Sequence, residues 1–240
     1  MNGFTRPGGL EITRRAFDVC AFAKSANLVK ILDVGCGRGD TAAYLEDEYG
    51  FCVTGIDSSA EAVSHAKEKH PGIEFMEGDG QALEFESLSF DCVLMECTLS
   101  LMPNPVEAIH EAFCVLKEGG YLIVHDLYIP RQSEEYLEII KQIKRSKTEE
   151  KHYGDCGKER GPECTVNGAL VMDDIFAALD ELGFEVILFE DRKSDLAGFA
   201  ASLIFEGGGV DEFLAGRRMK QDKSRISYFL LNAKKGKKIK

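Results

Sequence analysis

The sequence predicts an α/β fold with a doubly wound, mostly parallel sheet of seven strands and helices on both faces. Three observations support this prediction. Short β-prone apolar runs alternate with helical patterns along the first half of the chain. The run Phe90–Glu96 is almost entirely apolar, as expected of a central parallel strand that is covered on both faces. A segment with three alternating glycines joins the first strand to the next helix, a junction typical of such folds.

The elements follow from periodicity and from helix start and stop signals. The strands are predicted at residues 29–34, 51–56, 73–76, 90–96, 121–124, 184–190 and 226–233. The helices are predicted at residues 10–26, 41–49, 60–69, 106–116, 134–143, 169–182, 195–205 and 211–223, with Asp40 or Thr41 as N-cap of the second and Ser58 or Ser59 as N-cap of the third. The 240 residues contain no repeat and predict a single domain, 1–240.

Composition excludes several classes of protein. The net charge of −12 disfavours a general nucleic-acid surface. No apolar run approaches the ~20 residues that span a bilayer, and the N-terminus lacks a secretory signal, so we expect a cytoplasmic protein without a membrane segment. The eight dispersed cysteines indicate small buried side chains in a reducing compartment. The basic tail, residues 234–240, is predicted to be a solvated end; contact with an acidic partner or nucleic acid is the alternative.

The glycine segment predicts a ligand site. Gly35, Gly37 and Gly39 let the backbone approach a ligand, and the following helix offers unpaired N–H groups. A dinucleotide fingerprint would have its third glycine at position 40, where this chain has Asp40. Asp33, just before the loop, would repel a pyrophosphate and suits a cationic or zwitterionic ligand.

Two acidic residues further along the chain fit the same site. Asp57 ends the second strand, where a carboxylate can accept both ribose hydroxyls of an adenosine. Asp79 lies in a Gly-Asp-Gly turn after the third strand, which can hydrogen-bond an adenine edge or be a plain turn. Ligands bind at the carboxyl ends of parallel strands, so the segment from Glu96 to Ser100 is expected to form the floor of this site.

These motifs, together with the segment EAFCVLKEGGYLIVHD, resemble the class I S-adenosylmethionine (SAM) methyltransferases of the small-molecule type over roughly residues 24–128. The resemblance implies a Rossmann-like fold with SAM as cofactor, transfer of its methyl group to a small-molecule acceptor by in-line displacement, and release of S-adenosylhomocysteine. It implies SAM contacts for the loop and strand-end residues Asp33, Gly35, Cys36, Gly37, Gly39, Asp57, Ser58, Asp79, Gly80, Gln81, Glu96, Cys97 and Ser100.

The same resemblance implies a lid within residues 1–28, where Arg6 would meet a carboxylate; the alternative is an N-terminal helix that covers the sheet and leaves Arg6 in solvent. It also implies a helical substrate cap inserted after the fifth strand at residues 129–170. His125, Asp126 and Tyr128 end the fifth strand and are the candidate catalytic groups, because a His beside an Asp can move a proton. The alternative for His125 is a packed residue at a strand end. A base is needed only where the acceptor loses a proton.

Other functions stay open at this point. The protein would be a non-catalytic SAM-binding sensor or maturation partner if it binds without turnover. An arsenite methyltransferase would use Cys156 or Cys164, and an NAD-dependent oxidoreductase is disfavoured by the missing third glycine. No metal site is predicted, because Cys156, Cys164 and His152 have poor spacing for zinc. A monomer or a homodimer is expected.

Overall fold

The computed structural model describes residues 6–22, 28–130, 165–166, 169–207 and 226–236. In these ranges the helices are α1 (Gly9–Asp18), α2 (Asp40–Tyr49), α3 (Ala60–Lys69), α4 (Pro105–Val115), α5 (Met172–Leu182) and α6 (Lys193–Phe205). The strands are β1 (Lys30–Val34), β2 (Cys52–Asp57), β3 (Glu74–Glu77), β4 (Phe90–Glu96), β5 (Leu116–Tyr128), β6 (Thr165–Val166), β7 (Ala169–Leu170), β8 (Phe184–Asp191) and β9 (Ser227–Lys235).

The sheet has the predicted doubly wound α/β topology. Seven strands lie side by side in the order β3-β2-β1-β4-β5-β9-β8, and the first five are parallel. Strand β9 enters between β5 and β8 and is antiparallel to both. The two-residue strands β6 and β7 extend the sheet beside the end of β5. The last strand thus pairs with the strand before it, although about 35 residues, including α6, separate them.

The core lies on both faces of the sheet because neighbouring residues of each strand point to opposite sides. Leu32 belongs to the apolar cluster that packs under α4 and α5. Ile31, one residue earlier, belongs to the cluster that packs under α1, α2 and α3. Both clusters consist of residues that are almost fully buried, so the sheet is covered on both sides. Among the described residues no helix is long and apolar enough to cross a membrane.

Several predicted boundaries are wrong. The N-terminal helix ends at Asp18, and the helix predicted from residue 169 begins at Met172, because Ala169 and Leu170 pair as a strand. Strand β5 begins at Leu116 instead of the predicted residue 121, and it includes Gly119 and Gly120. Gly119 has a φ of +77°, and the register shifts opposite this stretch, so these glycines form a bulge within the strand.

The predicted capping residues are partly confirmed. Gly39 is the N-cap of α2, so neither Asp40 nor Thr41 has this role, whereas Ser59 caps α3 through its side chain. The helices predicted at residues 134–143 and 211–223 lie outside the described residues, as does most of the predicted cap. The strand β9 includes the first two lysines of the predicted basic tail.

Candidate active site

The glycine loop is fastened to the end of β2. The N–H groups of Gly35 and Cys36 both donate to the carbonyl of Ile56, at 2.8 and 2.9 Å. The Gly37 N–H donates to Oδ2 of Asp57 at 2.9 Å. A Cβ at Gly35 would overlap the side chain of Thr98, whereas a Cβ at Gly37 would meet open space. The loop is thus packed against Thr98 at Gly35, and at Gly37 it leaves space for a ligand.

Asp57 ends β2 and uses both carboxylate oxygens. Oδ2 accepts from Gly37 and Oδ1 accepts from the N–H of Ser59 at 2.9 Å. The carboxylate therefore joins the glycine loop to the start of α3. It also lines the larger of the two cavities at this edge of the sheet. A carboxylate oxygen can accept more than one hydrogen bond, so these contacts leave room for a ligand hydroxyl.

Two adjoining cavities lie at the carboxyl ends of β1, β2 and β4. The larger, of about 470 Å³, is bordered by Val34, Gly35, Asp57, Ser58, Gly78, Asp79, Gly80, Gln81, Glu96, Cys97, Thr98, Leu101, Met102 and Pro103. The smaller, of about 250 Å³, is bordered by Arg6, Asp33, Gly35, Cys36, Gly37, Arg38, Asp40, Thr41, Glu96 and Cys97. Gly35, Glu96 and Cys97 border both, so the two cavities form one cleft.

Most residues predicted to contact the cofactor meet in this cleft, with two exceptions. Gly39 does not border it and packs against the ring of Phe75, which a Cβ at Gly39 would overlap. Ser100 is buried and bonds to Asp126 instead. At the far end of the larger cavity, Oδ1 of Asp79 accepts from the backbone N–H of Gln81 at 2.9 Å, and this contact fixes the Gly-Asp-Gly turn.

Asp33 is a buried carboxyl group, and one of its two oxygens lacks a hydrogen-bond donor in the described part of the chain. Its side chain borders the smaller cavity and the residue is only 2% exposed. Oδ2 has no hydrogen-bond partner among the residues that the structure describes. Burial, with a further contribution from Glu96, raises the pKa of Asp33 to about 8, although Arg6 opposes the shift. A buried acceptor of this kind suits a cationic donor from a ligand.

Glu96 is the most heavily bonded carboxylate of the site. Oε1 accepts from Thr13 and His125, both at 2.6 Å, and Oε2 accepts from Thr41 and the guanidinium of Arg6, both at 2.7 Å. Burial alone would raise the pKa of Glu96, but Arg6 and His125 outweigh it and lower the pKa to about 2. Glu96 is therefore a carboxylate that accepts from every partner.

The three predicted catalytic residues do not border the cleft. His125 is fully buried between Glu96 and Tyr228. Asp126 is also fully buried and fixes the turn after β4, because its oxygens accept from the N–H and hydroxyl of Ser100, both at 2.7 Å. Tyr128 donates to Asp191 at 2.6 Å. Their catalytic roles stay predictions, and any role of His125 has to act through another residue.

The structure adds residues to the site that the sequence analysis did not assign to it. Thr13 and Thr41 hold Glu96, and Tyr228 contacts both His125 and Cys97. Arg6 was expected to meet a carboxylate, and in the structure it pairs with Glu96. The sequence could have indicated Thr41, because a hydroxyl in the first turn of the helix after the loop faces the cleft. It gave no indication of Tyr228, because the partners of Tyr228 lie about a hundred residues away in sequence.

No group of three or more His, Cys, Asp or Glu side chains that could hold a metal ion is found within the described ranges. The residues weighed for a metal, His152, Cys156 and Cys164, lie outside them.

Comparison with known proteins agrees with this geometry. A family model described as a methyltransferase domain matches residues 31–120. A demethylmenaquinone methyltransferase of Chlorobaculum tepidum is 36% identical over 104 residues, 43% of this chain and 43% of the relative. A phosphoethanolamine N-methyltransferase of Arabidopsis thaliana is 31% identical over 168 residues, 66% of this chain and 33% of the relative.

A solved structure shares the fold over almost the whole chain. Phosphoethanolamine N-methyltransferase 2 of Haemonchus contortus, in complex with SAM, has a TM-score of 0.67 at 18% identity and covers 98% of this chain and 55% of its own. Residues 31–120 therefore match a methyltransferase domain, and the chain is similar to SAM-dependent methyltransferases of the class that the sequence indicated. Its matched part covers less than half the length of the two relatives compared by sequence.

Proposed function

We propose that this protein transfers the methyl group of SAM to a small-molecule acceptor and releases S-adenosylhomocysteine. The observation that carries the proposal is the unpartnered Oδ2 of Asp33, buried in the wall of a cleft beside the open face of Gly37. An ammonium group supplies the charge and the donor that this oxygen lacks. SAM has an ammonium group and an adenosine, and the cleft offers residues for both.

The residues of the cleft divide along the length of this ligand. Asp33, Gly35, Cys36 and Gly37 are suited to the amino-acid end. Residues of the larger cavity are suited to the adenosine end. Asp57 and Ser58 would contact the ribose, and Asp79, Gly80 and Gln81 would contact the adenine. Glu96 and Cys97 border both cavities, so they lie where the methyl group would be presented. Gly39 and Ser100 support the site through packing and through Asp126.

When bound, SAM supplies an activated sulfonium methyl group. The chain then has to position the acceptor in line and keep water away. Arg6 and the α1 residue Thr13 bond to Glu96, and Arg6 borders the smaller cavity. These contacts support the proposed lid role of residues 1–28, in which Arg6 would lie beside the amino-acid end of the ligand.

The acceptor is proposed to be a small metabolite. The two relatives compared by sequence are named for different small acceptors, demethylmenaquinone and phosphoethanolamine, which supports the class without selecting a compound. The net charge of −12 disfavours nucleic acid as acceptor. The buried thiols Cys36 and Cys92 suit a reducing cytoplasm, and a monomer or homodimer is proposed.

Gly37→Ala is expected to weaken binding of S-adenosylhomocysteine at least tenfold. The new Cβ would enter the open space of the cleft, where we place the amino-acid end of the ligand. Gly50→Ala is the matched control, because Gly50 also has a positive φ (+68° against +54°) and open space around it, but it ends α2 away from the cleft. Both variants should lose a similar stability, about 1–2 kcal/mol.

Isothermal titration with S-adenosylhomocysteine measures the effect, and methyl-labelled SAM incubated with small-molecule extracts tests turnover. Equal affinity of Gly37→Ala and wild type for S-adenosylhomocysteine would show that the glycine loop does not contact the ligand. Binding without label transfer to any extract would favour the alternative function, a non-catalytic SAM sensor.

A further inference from the structure

Cys97 is the first residue after β4 and has an unusual backbone. Its φ is +56°, a left-handed conformation that non-glycine residues rarely adopt and that is frequent at functional sites. The residue borders both cavities of the cleft. Its Sγ lies 2.9 Å from the hydroxyl oxygen of Tyr228. The strained turn therefore places Cys97 where the two cavities meet, which is where we place the methyl group and the acceptor.

A chain of hydrogen bonds leads from Cys97 into the protein. The hydroxyl of Tyr228 lies 2.6 Å from Nδ1 of His125, and Nε2 of His125 lies 2.6 Å from Oε1 of Glu96. Tyr228 and His125 are fully buried. The three groups come from β9, β5 and β4, which are neighbours in the sheet. Both ends of this chain, Cys97 and Glu96, border the two cavities, and the Cys97 end carries a thiol that is only partly buried.

The direction of each hydrogen bond follows from Glu96. Its carboxylate can only accept, so Nε2 of His125 is the donor in their contact. In the neutral imidazole that a proton acceptor requires, Nδ1 carries no proton, and the Tyr228 hydroxyl donates to it. The oxygen of Tyr228 is left to accept from the thiol of Cys97. Every proton of the chain is thus already aligned for movement from Cys97 toward His125.

We propose that Cys97, Tyr228, His125 and Glu96 form a proton relay that takes the proton lost by the methyl acceptor. The proposal rests on the proposed methyltransferase function. As the acceptor atom forms its bond to the methyl carbon, the sulfonium carbon–sulfur bond breaks and the acceptor's proton passes to Sγ of Cys97. The thiol proton moves to Tyr228, and the Tyr228 proton moves to Nδ1 of His125. The resulting imidazolium is stabilised by the Glu96 carboxylate, and its proton later returns to water.

The relay selects the class of acceptor. Imidazole exchanges protons near neutral pH, so the relay suits a thiol, a phenol or an enol, whose protons are acidic enough to be removed there. An aliphatic alcohol would hold its proton too tightly. A tertiary amine has no proton to lose and would gain nothing from the relay.

The charged groups around Cys97 differ in whether they favour or oppose loss of its thiol proton. Arg6, from the segment before α1, favours a thiolate through its positive charge. Glu96 on β4 borders the same two cavities as Cys97 and opposes a thiolate through its negative charge. Asp126 on β5 acts on Tyr228, where its charge helps to raise the pKa of the hydroxyl. Burial raises the pKa of Tyr228 well above its ordinary value, so this residue passes a proton on without becoming a stable anion. Cys97 is the group that would contact the acceptor, and Tyr228 and His125 act through it.

Alkylation by iodoacetamide tests the relay, with the rate at each cysteine followed by peptide mass spectrometry between about pH 6 and pH 9. The exposed thiol of Cys52 is the internal reference. We expect Cys97 to keep its reactivity at lower pH than Cys52, because the relay accepts its proton. Tyr228→Phe should slow alkylation of Cys97 at least tenfold near neutral pH. Tyr121→Phe, at another buried tyrosine of the sheet, should change it less than twofold.

Equal Cys97 rates in wild type and Tyr228→Phe would overturn the relay. If Tyr228→Phe does not fold, the wild-type profile decides, because parallel pH profiles for Cys97 and Cys52 would also overturn it. S-adenosylhomocysteine should protect Cys97 and leave Cys52 unaffected. Lack of protection, with the pH profile as expected, would instead contradict the proposed function and with it the role in methyl transfer.

Discussion

Asp33→Asn is expected to make the protein more stable at high pH while it weakens ligand binding. The pKa of Asp33 is about 8 in the folded protein and ordinarily 3.8. Between these values the folded state holds the proton more tightly than the unfolded chain, so the free energy of unfolding falls as pH rises from about 4 to about 8. Asparagine does not ionise, so the variant should be more stable than wild type near pH 9 by on the order of a few kcal/mol.

Binding should change in the opposite direction, because asparagine offers no charge to the ammonium group of the ligand. A charge-assisted hydrogen bond contributes about 1.5–3 kcal/mol, so affinity for S-adenosylhomocysteine should fall roughly ten- to hundredfold. Denaturant unfolding near pH 5 and pH 9 and isothermal titration measure the two effects. Asp91→Asn, at the opposite end of β4, is the control and should leave affinity unchanged. Weaker binding without the gain in stability at pH 9 would contradict the interpretation that Asp33 is a buried carboxyl group with a raised pKa.

Glu96→Gln is expected to cost about 3–5 kcal/mol of stability, the usual loss when one partner of a buried ionic network is removed. The amide would turn an N–H group toward donors and leave Arg6 without its counter-ion. The folded pKa of Glu96 is about 2, below its usual 4.5. Its contribution is therefore present above about pH 4.5 and is lost as pH falls toward 2.

Urea unfolding at a series of pH values measures this effect, and the variant should lose stability less steeply than wild type below about pH 4.5. Glu190→Gln is the matched control, because Glu190 pairs with Arg15 and Arg192 at a partly exposed position. It should cost less than about 1 kcal/mol. Equal losses of stability in the two variants would show that the hydrogen bonds and ion pair of Glu96 stabilise the protein no more than a surface ion pair does.

The positions of Asp33, Asp57 and Glu96 could be predicted from the sequence. Each lies in a short apolar run that reads as a parallel strand, and the carboxyl ends of such strands converge at one edge of a doubly wound sheet. The strand Phe90–Glu96 was predicted with its observed bounds because its apolar run is continuous. The class of ligand followed from Asp33 beside the glycines.

The contacts made between distant segments could not be predicted. His125 and Asp126 were grouped as neighbours in sequence, but alternation along β5 separates their side chains, and Glu96 and Ser100 bind them respectively. Tyr228 reaches His125 only because β9 inserts between β5 and β8, a pairing that connects residues about a hundred positions apart. Arg6 and Thr13 meet Glu96 for a similar reason, since no local pattern records a contact over some eighty residues.

Thermal unfolding of the wild-type protein with S-adenosylhomocysteine, SAM and NAD is the most direct test that this cleft is a SAM site. A ligand at a hundredfold excess over its Kd adds ~2.7 kcal/mol, or roughly 5–10 °C in Tm for a chain of this length. We expect this rise with the first two ligands and none with NAD. The rise should persist in Gly50→Ala and should fall to about half or less in Gly37→Ala at the same ligand concentration. A rise with NAD alone, or with none of the three, would contradict the assignment of the cleft.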